Sequence, residues 1–276
     1  MFLFNFLHTY QPQPIILRLG VLNIYWYGLL IVLGILLAYF ITVKLGKSQP
    51  GGLEIRPLIQ DLSFYLVIFG LIGARLYHLL SELPYYLKNP FDAFKIWLGG
   101  LGIYGAVIAG LIVILIYVKK HRLSFLFLAD LIAPGLIIAQ AVGRWGNYFN
   151  SEVFGWPTNL PWGIPIFLSH RPAEFLSAQY FHPCFLYESI WNFLIFLFLI
   201  FLRRAGLRRG EGKAGKVVAF YLILYSFGRF WLEFLRIDSQ PMLLGLRLAQ
   251  IISILMFLVG LFILVGIKIN RDRTSV

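Results

Sequence analysis

Seven apolar stretches of about twenty residues each dominate this chain, at roughly residues 21–43, 62–80, 98–118, 125–142, 185–202, 217–235 and 246–267. A helix needs about 20 such residues to cross a ~30 Å hydrocarbon core. A chain inside lipid must satisfy its own backbone hydrogen bonds, which favours helices over open sheet. Charged residues make up 13% of the sequence and hydrophobic ones 59%, whereas soluble domains carry roughly a quarter charged residues. The expected fold is therefore an all-α polytopic membrane protein of about seven transmembrane helices. Residues 1–276 read as a single integral-membrane domain. Between the fourth and fifth spans an irregular extracytoplasmic segment, 143–183, carries the Pro- and Trp-rich run WPTNLPWGIPIF.

The formal charge of +12 could suggest nucleic acid in a soluble chain, but the basic residues cluster between the spans. Loops at 44–56, 119–122, 203–216 and 268–273 hold fifteen Lys and Arg, and the loops on the opposite side hold seven. Basic residues accumulate on the cytoplasmic side, so the N-terminus is expected outside and the C-terminus inside. The opening MFLFNFLHTYQPQP has no basic start and no small-residue cleavage site, and reads as an extramembrane segment rather than a signal peptide. The one cysteine, Cys184, excludes an internal disulfide. It reads as packing, because His182, two residues away, is too near in sequence for a catalytic pair. No inverted repeat is visible, which weighs against a lipid or small-anion transporter with an intramembrane arginine site.

Charged side chains at bilayer depth cost about 2.5 kcal/mol or more and are functional candidates by default. Arg75, Asp130, Glu188, Arg229 and Glu233 qualify, with Arg144 at the outer end of the fourth span. Structural ion pairs between helices are the competing explanation for each. Asp61, at a cytoplasmic span end, reads as solvated. In YSFGRFWLEFLR, the residues Tyr225, Arg229, Glu233 and Arg236 fall within one arc of a helix. Arg229 can pair with Glu233, which leaves Arg236 and Arg144 unmatched near the outer leaflet, where guanidinium forks suit phosphate oxygens.

Two further clusters flank the long segment. GRWGNYFNSEVFG gathers Arg144, Asn147, Asn150 and Glu152, with glycines that permit tight turns. HPCFLYES opens the fifth span with Pro183 placed for a helical first turn. Gly100-Leu-Gly-Ile-Tyr-Gly105 spells G-x-G-x-x-G, but no strand precedes it, so it is read as a helix-packing or headgroup-approach element rather than a nucleotide site.

Together with Tyr-Trp-Tyr-Gly at 25–28, Gly-x-x-Gly-Ala-Arg at 70–75 and GGLGIYG at 99–105, these motifs resemble the bacterial prolipoprotein diacylglyceryl transferase family over nearly the whole chain. The resemblance implies a multi-pass enzyme of the bacterial inner membrane. It would move the diacylglyceryl group of phosphatidylglycerol onto the lipobox cysteine of a prolipoprotein and release glycerol 1-phosphate. Its partners would be those substrates and membrane lipids, with no nucleic acid, and the enzyme would act as a monomer without metal or cofactor. Residue by residue, Arg144 and Arg229 match essential arginines of the family. Asn147, Glu152, Tyr27, Tyr225 and Glu233 match their neighbours, and Arg236 extends the same stripe. One departure stands out: Tyr104 occupies the place of a histidine proposed as the general base. The base is then Tyr104, Glu152 or Glu233.

Overall fold

The structure, a computed structural model, describes residues 2–20, 22–46, 55–208, 214–238 and 240–274. Residue 21, the expected start of the first span, and the basic residues Lys47, Arg209 and Lys213 lie outside these. Among the described residues seven helices are long and apolar enough to cross a membrane. They are α2 (Trp26–Gly46), α3 (Ile55–Ser81), α5 (Ile103–Lys120), α6 (Phe125–Phe149), α7 (Cys184–Arg208), α8 (Lys216–Leu232) and α9 (Leu248–Thr274). Two short helices, α1 (Phe2–Thr9) and α4 (Leu83–Lys88), join them, with three two-stranded antiparallel ribbons: β1 (Ile15–Leu19) with β2 (Leu22–Tyr25), β3 (Ile164–Pro165) with β4 (Tyr180–Phe181), and β5 (Met242–Leu243) with β6 (Leu246–Arg247).

Two boundaries differ from the sequence reading in ways that matter. The fourth span continues as helix through Phe149, so Arg144 and Asn147 lie on a helix rather than in a loop. The turn that ends it is made by Ser151 and Val153, at φ 54° and 56°, and not by the neighbouring glycines. The third span begins at Ile103, because Gly99 and Gly100 take φ values of 94° and 75° that break the preceding 3-10 turn over residues 96–98.

The chain divides into two compact units. One comprises Met1–Ile41 and Ala129–Val276. Its extramembrane part is held by a core that includes Tyr148, Phe154, Phe181 and Phe185, all nearly inaccessible. Apolar and aromatic contacts of this kind stabilise through area removed from solvent. On α1, His8 stacks on Tyr180 at 3.9 Å, and its Nδ1 lies 2.8 Å from the Gly163 carbonyl. Backbone hydrogen bonds from Gly155 to His182, His182 to Trp156, Thr158 to Tyr180 and Trp156 to Leu235 tie the 150–183 segment down at both ends. Helices α7 and α8 approach closely at Gly228, where a Cβ would meet the Trp191 indole nitrogen at 2.0 Å. That nitrogen donates to the Leu224 carbonyl at 2.9 Å.

Asp130, an intramembrane acid by sequence, serves the frame. Its carboxylate oxygens accept the backbone N–H groups of Gly215 (2.8 Å) and Val218 (2.7 Å). It therefore caps the start of α8 from a neighbouring helix, satisfying donors that every helix N-terminus leaves open.

The second unit is Thr42–Leu128. There α3 and α5 meet at Gly73 and Gly105, where a Cβ on Gly105 would sit 2.1 Å from the Gly73 carbonyl oxygen. This is the close helix approach expected of the glycine-rich run. Arg75 is buried and donates to four backbone carbonyls: Asp92 (2.6 Å), Gly99 (2.7 Å), Ala93 (2.9 Å) and Gly100 (3.0 Å). It pins the 89–102 connection to α3. Its role is a staple, and the positive φ at Gly99 and Gly100 brings their carbonyls to it. Nearby, Asp92 accepts from Lys95 and Tyr85, and these two hydrogen bonds hold its carboxyl below the usual range.

Candidate active site

Helix α7 brings Glu188 into the protein one turn after Pro183, with its carboxylate only 4% exposed. Such a group cannot be left alone, and three helices supply its partners. Arg144 of α6 places Nε 2.7 Å from Oε2, and Arg229 of α8 donates from Nη1 to Oε1 at 2.8 Å. Arg236, just past α8, has Nη1 3.7 Å from Oε1. One carboxylate thus gathers three guanidinium groups.

Glu233 forms the second node. It is fully buried, with Oε2 in ion-pair contact with Arg229 Nη2 at 2.8 Å and Oε1 accepting from Arg247 Nη1 at 3.1 Å. The N–H of Arg229 is not aligned on Oε2, so that contact is electrostatic rather than a hydrogen bond. Arg247, from β6, also donates to the Arg236 carbonyl at 2.8 Å. Arg236 in turn forks onto Asp238 through Nε (2.8 Å) and Nη2 (2.7 Å). Burial pushes the Asp238 carboxyl up, but its hydrogen bonds from Arg236 and Gln240 and the charges of Arg236 and Arg247 outweigh this and hold it below the usual range.

The outer edge is built from α6 and its terminal turn. Arg144 Nη1 donates to Asn147 Oδ1 at 3.3 Å, and Asn147 Nδ2 to Glu152 Oε2 at 3.3 Å. Asn150 Nδ2 donates to Glu152 Oε1 at 3.2 Å. Glu152 is exposed and sits between two residues in the left-handed region. For a β-branched residue such as Val153 that backbone conformation is unfavourable by about 1–3 kcal/mol. Tyr27 lies against Gly146, whose missing side chain makes room for the ring: a Cβ there would meet it at 2.5 Å.

The structure therefore brings together Arg144, Asn147, Glu152, Arg229, Glu233 and Arg236, with Tyr27 against the same stretch of α6. Tyr225 instead stacks on Tyr221 at 5.8 Å and packs against the apolar core formed by α6, α7 and α8. Tyr104 belongs to the other unit, where its half-exposed ring lies 5.8 Å from Tyr77. One expectation is corrected. Arg144 and Arg236 are not unmatched: Glu188, from another helix, takes the first, and Asp238, two residues along, takes the second. Periodicity along one helix does not show cross-helix partners. Arg247 and Asp238 each read as an ordinary loop charge, so the sequence carries no signal for their place in the cluster. Cys184 is fully buried beneath Gly155, consistent with packing.

A cluster of guanidinium groups lodged between transmembrane helices suits an anionic lipid headgroup. Sequence comparison supplies the family. The family model for prolipoprotein diacylglyceryl transferase matches residues 14–266. The chain belongs to that family. Among its relatives, one from Synechocystis sp. is 45% identical over 252 residues, covering 91% of this chain and 87% of the relative. Another from Nostoc sp. is 44% identical over 258 residues, covering 93% and 89%. A third, from Prochlorococcus marinus, is 40% identical over 290 residues, covering 96% and 95%. All three carry the name phosphatidylglycerol–prolipoprotein diacylglyceryl transferase. The family match spans both units and every charged residue of the cluster.

Proposed function

We propose that this protein transfers the diacylglyceryl group of phosphatidylglycerol to the lipobox cysteine thiol of prolipoproteins and releases glycerol 1-phosphate. The observation that carries this reading is the meeting of Arg144 and Arg229 on one buried carboxylate, in a member of a family whose relatives bear that name.

The reaction is a displacement at an sp3 carbon. The thiolate sulfur forms a bond to the diacylglyceryl carbon, the carbon–oxygen bond to phosphate breaks, and the electron pair leaves on the phosphate oxygen. Nothing is oxidised, so the chemistry calls for no cofactor. Negative charge grows on the leaving phosphate, and preorganised cations in a poorly hydrated site stabilise it. Arg144 supplies the open edge. Its Nε faces Glu188, while its Nη groups make one long hydrogen bond, to Asn147, among the described residues. Arg229 supports it from deeper in the bundle, held by Glu188 and Glu233. Arg236 adds positive charge from behind, and Tyr27 shapes the wall beside these groups.

The incoming thiol, with a pKa near ~8.5, must lose its proton. Glu233 is sealed among arginines and acts by holding Arg229 and Arg247. Glu152 is exposed, is presented by a strained turn and accepts from the side-chain amides of Asn147 and Asn150, so it is the better-placed base. Tyr104 sits on α5 of the second unit, beside Tyr77, and Glu152 rather than Tyr104 takes the proton.

The charge bias of the loops supports an N-terminus outside and a C-terminus in the cytoplasm of the bacterial inner membrane. There the protein acts as a monomer on lipid and prolipoprotein, with no nucleic-acid partner. The decisive experiment incubates purified protein with phosphatidylglycerol and a lipobox peptide and reads the peptide's mass. A diacylglyceryl adduct is expected, and an unmodified peptide would refute the reading.

A further inference from the structure

The cluster contains four guanidinium groups, Arg144, Arg229, Arg236 and Arg247. It also contains four carboxylates: Glu188, Glu233 and Asp238 in direct contact, and Glu152 through Asn147. A site built only to grip phosphate would keep an excess of positive charge. This one balances its charges, and Glu188, shared by Arg144 and Arg229, lies at its centre.

We propose that Glu188 sets the affinity of the cluster for phosphate so that the product can leave, a role that rests on the transferase reading above. The substrate headgroup is a phosphodiester with a single negative charge. Transfer converts it to a phosphate monoester carrying about −1.5 to −2 at pH 7. Excess positive charge would therefore attract the product more than the substrate, because the Coulomb term scales with the ligand's charge. With Glu188 ionised against its arginines, that excess is cancelled and the more highly charged product is not retained. Glu188 is in this sense a positioning and charge-setting residue, acting through Arg144 and Arg229.

The geometry separates this role from simple scaffolding by the sign of the effect. If Glu188 only held the two guanidinium groups in place, its loss would loosen them and weaken binding of every phosphate ligand. If it sets the charge, Glu188→Gln keeps the shape and an acceptor oxygen but leaves the cluster one unit positive, and anions bind more tightly. Calorimetry on the full-length protein in phosphatidylglycerol-free detergent, titrated with glycerol 1-phosphate, reads this directly. We expect at least about tenfold tighter binding in E188Q than in the natural sequence. In turnover assays the KM for phosphatidylglycerol should fall by a smaller factor, while kcat drops as release slows. Glu188→Asp, which keeps the charge, should restore loose binding of glycerol 1-phosphate.

If E188Q does not accumulate, Asp238→Asn raises the charge of the same cluster from its exposed side and should shift binding in the same direction by less. Unchanged or weaker binding of glycerol 1-phosphate in the variant that folds overturns the proposal. Failure of the natural sequence to form a peptide adduct would instead overturn the transferase reading, and the calorimetric comparison still decides the charge effect.

Discussion

Arg229 donates to Glu188 across the α7–α8 interface at 2.8 Å, and the same guanidinium lies 2.8 Å from Glu233, one turn away on its own helix end. It is thereby fixed at both edges by carboxylates that are 4% and 0% exposed. A side chain held this way cannot change rotamer without stranding a buried charge, which is costly.

The two central arginines should be indispensable. Arg144→Ala and Arg229→Ala are each expected to lower transfer to a lipobox peptide by about a hundredfold or more, as loss of a charge-stabilising donor does. Arg229→Lys should recover little, because an ammonium cannot span two carboxylates as a fork does. Protein abundance measured alongside separates lost chemistry from lost folding. Near-normal turnover of R144A would remove that residue from the mechanism.

Proton removal can be assigned by three isosteric changes. Glu152→Gln should reduce kcat by about a hundredfold or more if that carboxylate takes the thiol proton. Tyr104→Phe should cause a loss of less than about tenfold. Glu233→Gln should depress abundance as well as activity, since it breaks contacts to Arg229 and Arg247. A mild E152Q phenotype beside a severe Y104F one would reverse the assignment.

Asp130 should matter for stability alone. Asp130→Ala leaves two buried backbone donors at the start of α8 unsatisfied, at an expected cost of about 1–3 kcal/mol. Detergent-solubilised protein should melt lower while its activity per folded molecule stays unchanged. A selective loss of activity at normal melting temperature would contradict the capping role.

Acid sensitivity follows from the Arg236–Asp238 fork. Asp238 is held below the ordinary carboxyl range in the folded protein. Its contribution is therefore fully present above the unfolded value near ~3.9 and is lost as pH falls through the folded value. Thermal melts between neutral pH and pH 3 should show this decline in the natural sequence and a shallower one in Asp238→Asn. Parallel declines would show that the fork does not contribute.

Much of the architecture can be read from the chain because lipid imposes one length and one periodicity on every span. Arg229 and Glu233 are equally legible, being one helical turn apart on an apolar segment. The hub at Glu188 is not, since its partners come from α6 and α8 and no spacing rule links positions on different helices. Arg75 and Asp130 satisfy backbone groups, a use that side-chain patterns do not reveal. The left-handed Val153 is also invisible, because valine is among the residues least suited to that conformation. The turn is imposed by its surroundings: the Val153 carbonyl accepts from Phe185, and the Glu152 amide donates to Asn147.

The Gly155–Arg236 bridge and the hydrogen bond from Trp156 to Leu235 weave the extramembrane segment into the same stretch of backbone that carries the third arginine of the cluster. Anything that displaces that segment would therefore pull on the backbone at Arg236 as well.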